Sequence, residues 1–354
     1  MSTPAAPGAG ILRALVARAT LAPSMRNAQP WRWTVHPDHV DLELDEDVAR
    51  RFEATDPEGR ELTMSCGAAL LTLRVAAAEA LFDARVDVRP DPHRPRLLAS
   101  VTVEPGAIDA AFSDLDAVVP LRHTAWNAFD DRLLPAGLAD RLAVEAMVEG
   151  ACLQEVPPGA REPLTELLRH ADHERYEDPR RRVEVAEWIS SRWTDEGRVV
   201  PTVAVTPARA TVRHLDLGDR IADHEADLLG GAPYVGVLAT RGDGPADWLA
   251  AGQALQRILL VAAAEEVLGG FLNAPCQVAD DRDRLRALLP DRPYPQLVLR
   301  MGYPRTRPTG TPRRPVDDVV TVQVGPGERV RYRDSVPGRA REVGAADYTE
   351  DTLG

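Results

Sequence analysis

The chain contains no lysine; all 42 of its strong side-chain cations are arginine. That excludes a Walker phosphate loop and Schiff-base chemistry, which both require a lysine amine. An anion held by a side-chain cation must then be held by arginine, whose planar fork suits phosphate. Richness in Ala, Arg and Pro also fits a GC-rich coding bias, so the absence has a genomic reading beside the functional one. The three cysteines, Cys66, Cys152 and Cys276, stand far apart and form no CxxC pair. That spacing argues against a zinc site or a disulfide scaffold and for a reducing cytoplasm. No apolar run near 20 residues is free of charge, so no membrane span is expected. The N-terminus lacks the basic region and long apolar core of a signal peptide. A net charge of −13 speaks against nucleic acid as a partner. No GxSxG elbow is present, and no GxGxxG follows a strand, so neither a serine hydrolase nor a Rossmann dinucleotide site is supported.

What is present begins with Ala22-Pro23-Ser24-Met25-Arg26-Asn27-Ala28-Gln29-Pro30-Trp31, between an amphipathic helix (Ile11 to Leu21) and an extended run. Pro23 stops the helix, and Pro30 biases Gln29 toward an extended backbone. Ser24, Asn27 and Gln29 thus lie in a stiffened turn whose hydrogen-bonding groups need partners. Such a turn suits a flat, heteroatom-rich ligand; an ordinary Asn/Ser turn between a helix and a strand accounts for the same residues.

Further along, Met1 to Gly10 reads as disordered. Trp31–His36 and His39–Asp45 form a hairpin around Pro37-Asp38. Arg60–Phe82 is a long helix with Leu62, Cys66, Ala69, Leu70, Leu73 and Ala77 on one face, which makes Cys66 a core residue. Arg85–Arg89 and Leu97–Val103 are strands. Pro135 opens a helix to about Glu149. Glu162–Trp193 is highly charged and helical, broken at Asp178-Pro179. Tyr234–Thr240 is an apolar strand, Ala246–Leu268 a buried helix, and Gln296–Gly302 a strand. From Gly325 the chain reads as a mobile tail. Cys66-Gly67-Ala68-Ala69-Leu70 is similar to Ala251-Gly252-Gln253-Ala254-Leu255, about half the chain away. Alanine-rich helices match easily by chance, so this alone is a weak sign of duplication.

Three more segments carry chemistry. Arg122-His123-Thr124 offers a bidentate cation and a hydroxyl, or is a polar loop with a capping threonine. In Leu268-Gly269-Gly270-Phe271-Leu272-Asn273, the glycines let the backbone approach a ligand, or cap a helix before a strand. Arg313 and Arg314, in Thr-Pro-Arg-Arg-Pro-Val, are a basic pair or solvated surface. His170, His173 and Glu174 have metal-ligand spacing, but Arg169, Asp172, Arg175 and Asp178 around them describe a solvated helix. His214 and Asp216 have no third partner. No metal is expected.

These segments, in this order and with Gly59–Leu71 and Gly252–Arg257 between them, resemble the FMN-dependent nitroreductase superfamily, and within it the Acg-type branch. The resemblance runs from about residue 10 to residue 320. It implies an α+β nitroreductase fold with two pseudo-symmetric halves fused in one chain, 11–117 and 118–324, the second carrying a charged helical lid at about 162–195. It implies FMN held by Pro23, Ser24, Met25, Asn27 and Gln29 along the flavin. Arg122, His123, Thr124, Arg313 and Arg314 would sit at its phosphate, and Gly270, Phe271 and Leu272 would present N–H groups to the N5/O4 edge of the ring. Trp126 stands where the family carries a second basic residue. Each motif occurs once, which implies one FMN per chain and a monomer rather than a homodimer. NAD(P)H is the implied electron donor and a nitroaromatic, quinone or pathway-specific small molecule the acceptor, with no catalytic side chain required. The Acg branch also implies an alternative: a flavin-holding protein with little turnover, in which Trp188 and Trp193 stack over the flavin or else pin the lid to the body.

Overall fold

The computed structural model describes residues 7–190, 219–308, 310–323, 330–333 and 340–343. The first part of the chain runs α1 (Ala9–Ala19), β1 (Trp31–Val35), β2 (Val40–Leu44), α2 (Glu46–Arg50), α3 (Arg60–Glu79), β3 (Phe82–Val88), β4 (Leu97–Pro105) and α4 (Ala110–Ser113). Then come α5 (Leu138–Val148), β5 (Cys152–Glu155), α6 (Glu162–Glu177), α7 (Pro179–Ser190), α8 (Asp219–Gly230), β6 (Tyr234–Thr240) and α9 (Pro245–Ala264). The last elements are β7 (Leu268–Phe271), α10 (Ala274–Gln277), α11 (Ala279–Leu288), β8 (Tyr294–Gly302), β9 (Val320–Val322), β10 (Val330–Arg333) and β11 (Ala340–Val343). One sheet has the order β3-β4-β2-β1-β9, a second β5-β6-β8-β7, and β10 pairs with β11.

Apolar periodicity over 20 residues makes α3 and α9 the central helices, and they cross at their glycines. A Cβ on Gly67 would lie 2.2 Å from the Leu249 carbonyl oxygen, and one on Gly252 would lie 1.9 Å from that of Met64. Each carbonyl belongs to the residue three before the opposite glycine, so the contact reads the same from either helix. Only a residue without Cβ permits that approach. Further along, Gln256 Nε2 donates to Thr72 Oγ1 at 3.0 Å, and Glu149 accepts from both Arg74 and Arg257. The first sheet packs Trp33, Leu42 and Val101 with α1 and α3; the second packs Leu238, Leu297 and Leu299 against α9 and α5. α3 is also long and apolar enough to cross a membrane by composition, but 94% of its apolar window is buried inside the protein.

The other face of the second sheet is covered by α6, α8 and α11. Leu164, Leu168, Leu228, Leu229 and Leu285 pack there on Val235, Val237 and Val298. This leaves β6 buried along its whole length, as its unbroken apolar run requires. The break at Asp178-Pro179 turns the chain from α6 into α7. Glu184 on α7 then accepts from the N–H groups of Ala54 (2.7 Å) and Thr55 (3.3 Å). Arg181 donates to the carbonyls of Ala54 and Gln277, both at 3.0 Å.

Several expectations shift. α1 starts at Ala9, inside the stretch read as disordered, because the Gly8 carbonyl accepts from Ile11 and Leu12 N–H and opens the helix. α5 starts at Leu138, not Pro135, because Gly137 takes a left-handed φ of 77°. The expected boundary between halves is crossed: β9 runs parallel to β1 in the first sheet. Residues 1–6, most of the expected tail, residues 191–195 of the expected lid, Trp193, His214, Asp216 and the Trp188 side chain lie outside the described residues.

Candidate functional site

The turn before β1 is held in an unusual backbone. Arg26, Asn27 and Gln29 have φ of 47°, 56° and 51°, a left-handed conformation that L side chains rarely adopt. Such strain persists only where surroundings impose it. Ser24 Oγ accepts from Gln29 N–H, and Ser65 Oγ on α3 accepts from Met25 N–H, both at 3.0 Å. Asn27 Nδ2 donates to the Pro312 carbonyl at 3.0 Å, and the buried Gln29 Oε1 accepts from Arg314 N–H at 2.8 Å. Of the groups foreseen as needing partners, the two amides tie the turn to residues 312–314 and the Ser24 hydroxyl closes the turn on itself, while Ser65 ties it to α3.

Residues 122–126 come to the same place by another route. Thr124 bridges Gly269 in parallel, and Ala125 N–H donates to the Gly269 carbonyl at 2.8 Å, so this loop extends the edge of the second sheet beside β7. Between the two loops lies a cavity of about 330 Å³. Its middle is apolar, lined by Met64, Ala68, Leu255, Phe271 and Leu297.

One end of the cavity is cationic. Arg122 is 6% exposed, and its Nε and Nη1 are buried without a hydrogen-bond partner. Burial, and then neighbouring Arg313, push its pKa down to about 9. A desolvated guanidinium beside a second arginine is an expensive arrangement unless an anion completes it. His123 is held below its usual range by burial and by Arg122, Arg307 and Arg313. This donor set fits a phosphate: two cations, the Thr311 and Thr124 hydroxyls and an imidazole line the cavity together. Helices α6 and α7 also line the cavity, through Arg175, Tyr176, Arg181 and Arg182. There Glu61 accepts from Asn273 Nδ2 at 2.5 Å and Gln277 Nε2 at 2.7 Å. Asp56 caps α3 by accepting from Leu62 N–H at 2.9 Å, and burial, then Glu61, raise it to about 6.

No family model matches the chain. By sequence it is 30% identical over 333 residues to "Putative NAD(P)H nitroreductase Rv3131" of Mycobacterium tuberculosis, covering 92% of this chain and 95% of that protein. The chain belongs to the nitroreductase superfamily. It is also 29% identical over 333 residues to "Putative NAD(P)H nitroreductase acg" of the same organism, covering 88% and 96% of the two chains. Among solved structures it is similar to the FMN-dependent nitroreductase NfnB of Mycobacterium smegmatis in complex with NADPH. That match has 16% identity and a TM-score of 0.40, and covers 61% of this chain and 100% of that one.

Of the residues singled out in this member of the superfamily, Pro23, Ser24, Met25, Asn27, Arg122, His123, Thr124, Phe271 and Arg313 line the cavity. Four expected there stand elsewhere. Gln29 is buried beneath the turn. Gly270 faces packed protein: a Cβ there would meet the Ala125 carbonyl oxygen at 2.4 Å. Leu272 is in the core, and its N–H donates to the Val298 carbonyl at 3.0 Å, so it presents no donor to a ligand. Arg314 turns outward to Asp45 Oδ2 at 3.6 Å and to the Asp318 carbonyl. Arg313 reaches the cavity, yet its donors are committed to the carbonyls ending α1, those of Thr20 (2.8 Å), Leu21 (2.9 Å) and Ala22 (3.2 Å), and to Thr311. The sequence reading missed Arg26, Glu61, Ser65, Gln277 and Thr311. Ser65 and Thr311 lie inside motifs it had marked; for Arg26 its left-handed backbone gave no composition signal.

Proposed function

We propose that this chain is an FMN-binding oxidoreductase that uses NAD(P)H and passes electrons to a small-molecule acceptor, a nitroaromatic, a quinone or a pathway-specific compound. The observation that carries the reading is Arg122, a buried guanidinium with open donors at one end of a cavity with an apolar middle. When bound, FMN supplies two-electron transfer between the nicotinamide and the acceptor. Arg122 holds the phosphate by charge-assisted hydrogen bonds, with Thr311 and His123 beside it. Arg313 adds positive charge while clasping the end of α1 to the turn at Ser24–Asn27. Met64, Ala68, Leu255 and Leu297 exclude water from the middle of the cavity, and Phe271 adds an aromatic wall. No side chain is assigned a proton transfer. Each loop occurs once, which supports one FMN per monomeric chain.

A second reading has its own observation. α6 and α7 line the cavity, and Glu184 and Arg181 latch α7 to Ala54, Thr55 and Gln277. A site so latched suits a flavin-holding protein with little turnover. Anaerobic mixing of the purified holoprotein with NADPH and NADH separates the two. Bleaching within seconds, reversed by a quinone or nitroaromatic, supports the oxidoreductase. A flavin that ignores both nicotinamides but is reduced by dithionite supports the flavin holder.

A further inference from the structure

The β1–β2 hairpin ends in a cluster that the flavin site does not use. His36 and His39 flank the Pro37-Asp38 turn, joined by His36 N–H to the His39 carbonyl at 2.9 Å, and their rings stack with centroids 4.2 Å apart. Asp41, two residues on along β2, points between them, and its side chain is 3% exposed. His36 Nε2 lies 3.4 Å from Asp41 Oδ2, and His39 Nε2 lies 3.6 Å from Asp41 Oδ1. The His36 nitrogen is buried and makes no hydrogen bond. On the far side of His39, Nδ1 lies 2.7 Å from Asp38 Oδ1. A carboxylate only accepts, so that nitrogen carries the proton and Nε2 presents a lone pair.

Two imidazole nitrogens and a buried carboxylate therefore converge, and among the described residues the His36 nitrogen has no hydrogen-bond partner. With Nε2 unprotonated on both rings, lone pairs so placed repel unless a cation joins them. Ser100 Oγ donates to Asp41, and Arg94, half-exposed and paired to Glu43 at 2.8 Å, reaches Asp41 Oδ2 only at 3.4–3.5 Å. Neither touches the histidine nitrogens. Zinc bonds of about 2.0–2.2 Å in a tetrahedron place neighbouring ligand atoms roughly 3.3–3.5 Å apart. The two His–Asp separations, 3.4 and 3.6 Å to different oxygens of Asp41, are close to that edge length, and with one donor atom from each residue the three lie within 4.8 Å of one another.

We propose that His36, His39 and Asp41 bind one divalent transition-metal ion of the zinc class, with Asp38 holding His39 in the ligating tautomer. Imidazole and carboxylate donors suit such an ion, and three protein ligands leave one position for water. The carboxylate behind a ligating histidine is the usual outer-shell support. The ion would pin the hairpin beside β9, whose neighbour Gln323 donates its N–H to the Val35 carbonyl at 2.8 Å. The proposal departs from the expectation of no metal, and it stands whether or not the cavity holds a flavin.

The test uses the tag-free full-length protein, dialysed against a chelator and titrated with Zn²⁺, then with Co²⁺. One Zn²⁺ per chain is expected, with a Co²⁺ visible spectrum showing nitrogen and oxygen ligation. His36→Gln and His39→Gln should each weaken binding by about tenfold or more, and Asp38→Asn, on the exposed turn, by about tenfold. Failure of the wild type to take up Zn²⁺ saturably would overturn the proposal. So would uptake that both histidine variants leave unchanged, or histidines that titrate together with no response to Zn²⁺, which would make the proton the cation.

Discussion

Arg122 and Arg313 share one end of the cavity but have different work. Among the described residues Arg122 has open donors and no carboxylate to offset it, whereas Arg313 is bonded to the backbone at the end of α1. Arg122→Met should therefore lower FMN affinity about ten- to a hundred-fold, the loss of roughly 1.5–3 kcal/mol of charge-assisted bonding. Its apoprotein should unfold at higher denaturant than wild type, because a buried unpaired cation is gone. Arg313→Ala should lower both FMN content and the unfolding midpoint. Denaturation of the two apoproteins side by side checks this; equal midpoints would place both arginines in the same role. His123 adds a pH dependence. Its pKa is depressed below about 6.5 in the folded apoprotein, so apoprotein stability falls as pH drops through that value. A phosphate dianion would raise the pKa, so affinity should gain more on acidification in wild type than in His123→Asn, measured by flavin fluorescence quenching. The candidacy of Arg122 for a phosphate was legible from its residue type and motif, and its burial with open donors was not. That Arg313 caps a helix almost 300 residues earlier was not, because that depends on where the fold returns the chain.

At the scale of elements, α3, α9 and β6 follow from apolar period and run length, and the Asp178-Pro179 break from proline chemistry. The reach of α7 across to Ala54 and Gln277 does not, since Glu184 and Arg181 look like solvated charges in the sequence. Glu184→Ala removes an acceptor from two backbone N–H groups and should favour opening of α7. If that helix gates access, reduction by NAD(P)H or release of flavin should speed up several-fold in stopped flow; unchanged rates would mean that α7 plays no part in access. The helix crossing is the stiffer element. Gly67→Ala or Gly252→Ala places a methyl against a backbone carbonyl that cannot rotate away, so the helices must separate. A loss of about 1–3 kcal/mol or more is expected in equilibrium unfolding. An unchanged midpoint would show that the crossing relaxes freely.

At the scale of the whole molecule, residues 24–35 are joined to residues 311–323. The turn at Ser24–Asn27 and the Thr311–Arg314 segment bond each other, β9 enters the first sheet beside β1, and the loop at Arg122–Thr124 closes the cavity from the second sheet. The reciprocal approach of Gly67 and Gly252 supports the inference of two related halves. A division at residue 117 leaves β9 paired across it, because order along the chain does not disclose that this strand crosses back to the first sheet. A chain so arranged should run as a monomer on light scattering, with one flavin. The central claim is that Arg122 marks a flavin phosphate site, and the ratio of FMN to protein chain tests it most directly. The account predicts one FMN per chain in the purified wild type and little or none in Arg122→Met at equal protein concentration. A wild type that holds no FMN when supplied with it, or an Arg122→Met protein as fully loaded as wild type, would contradict it.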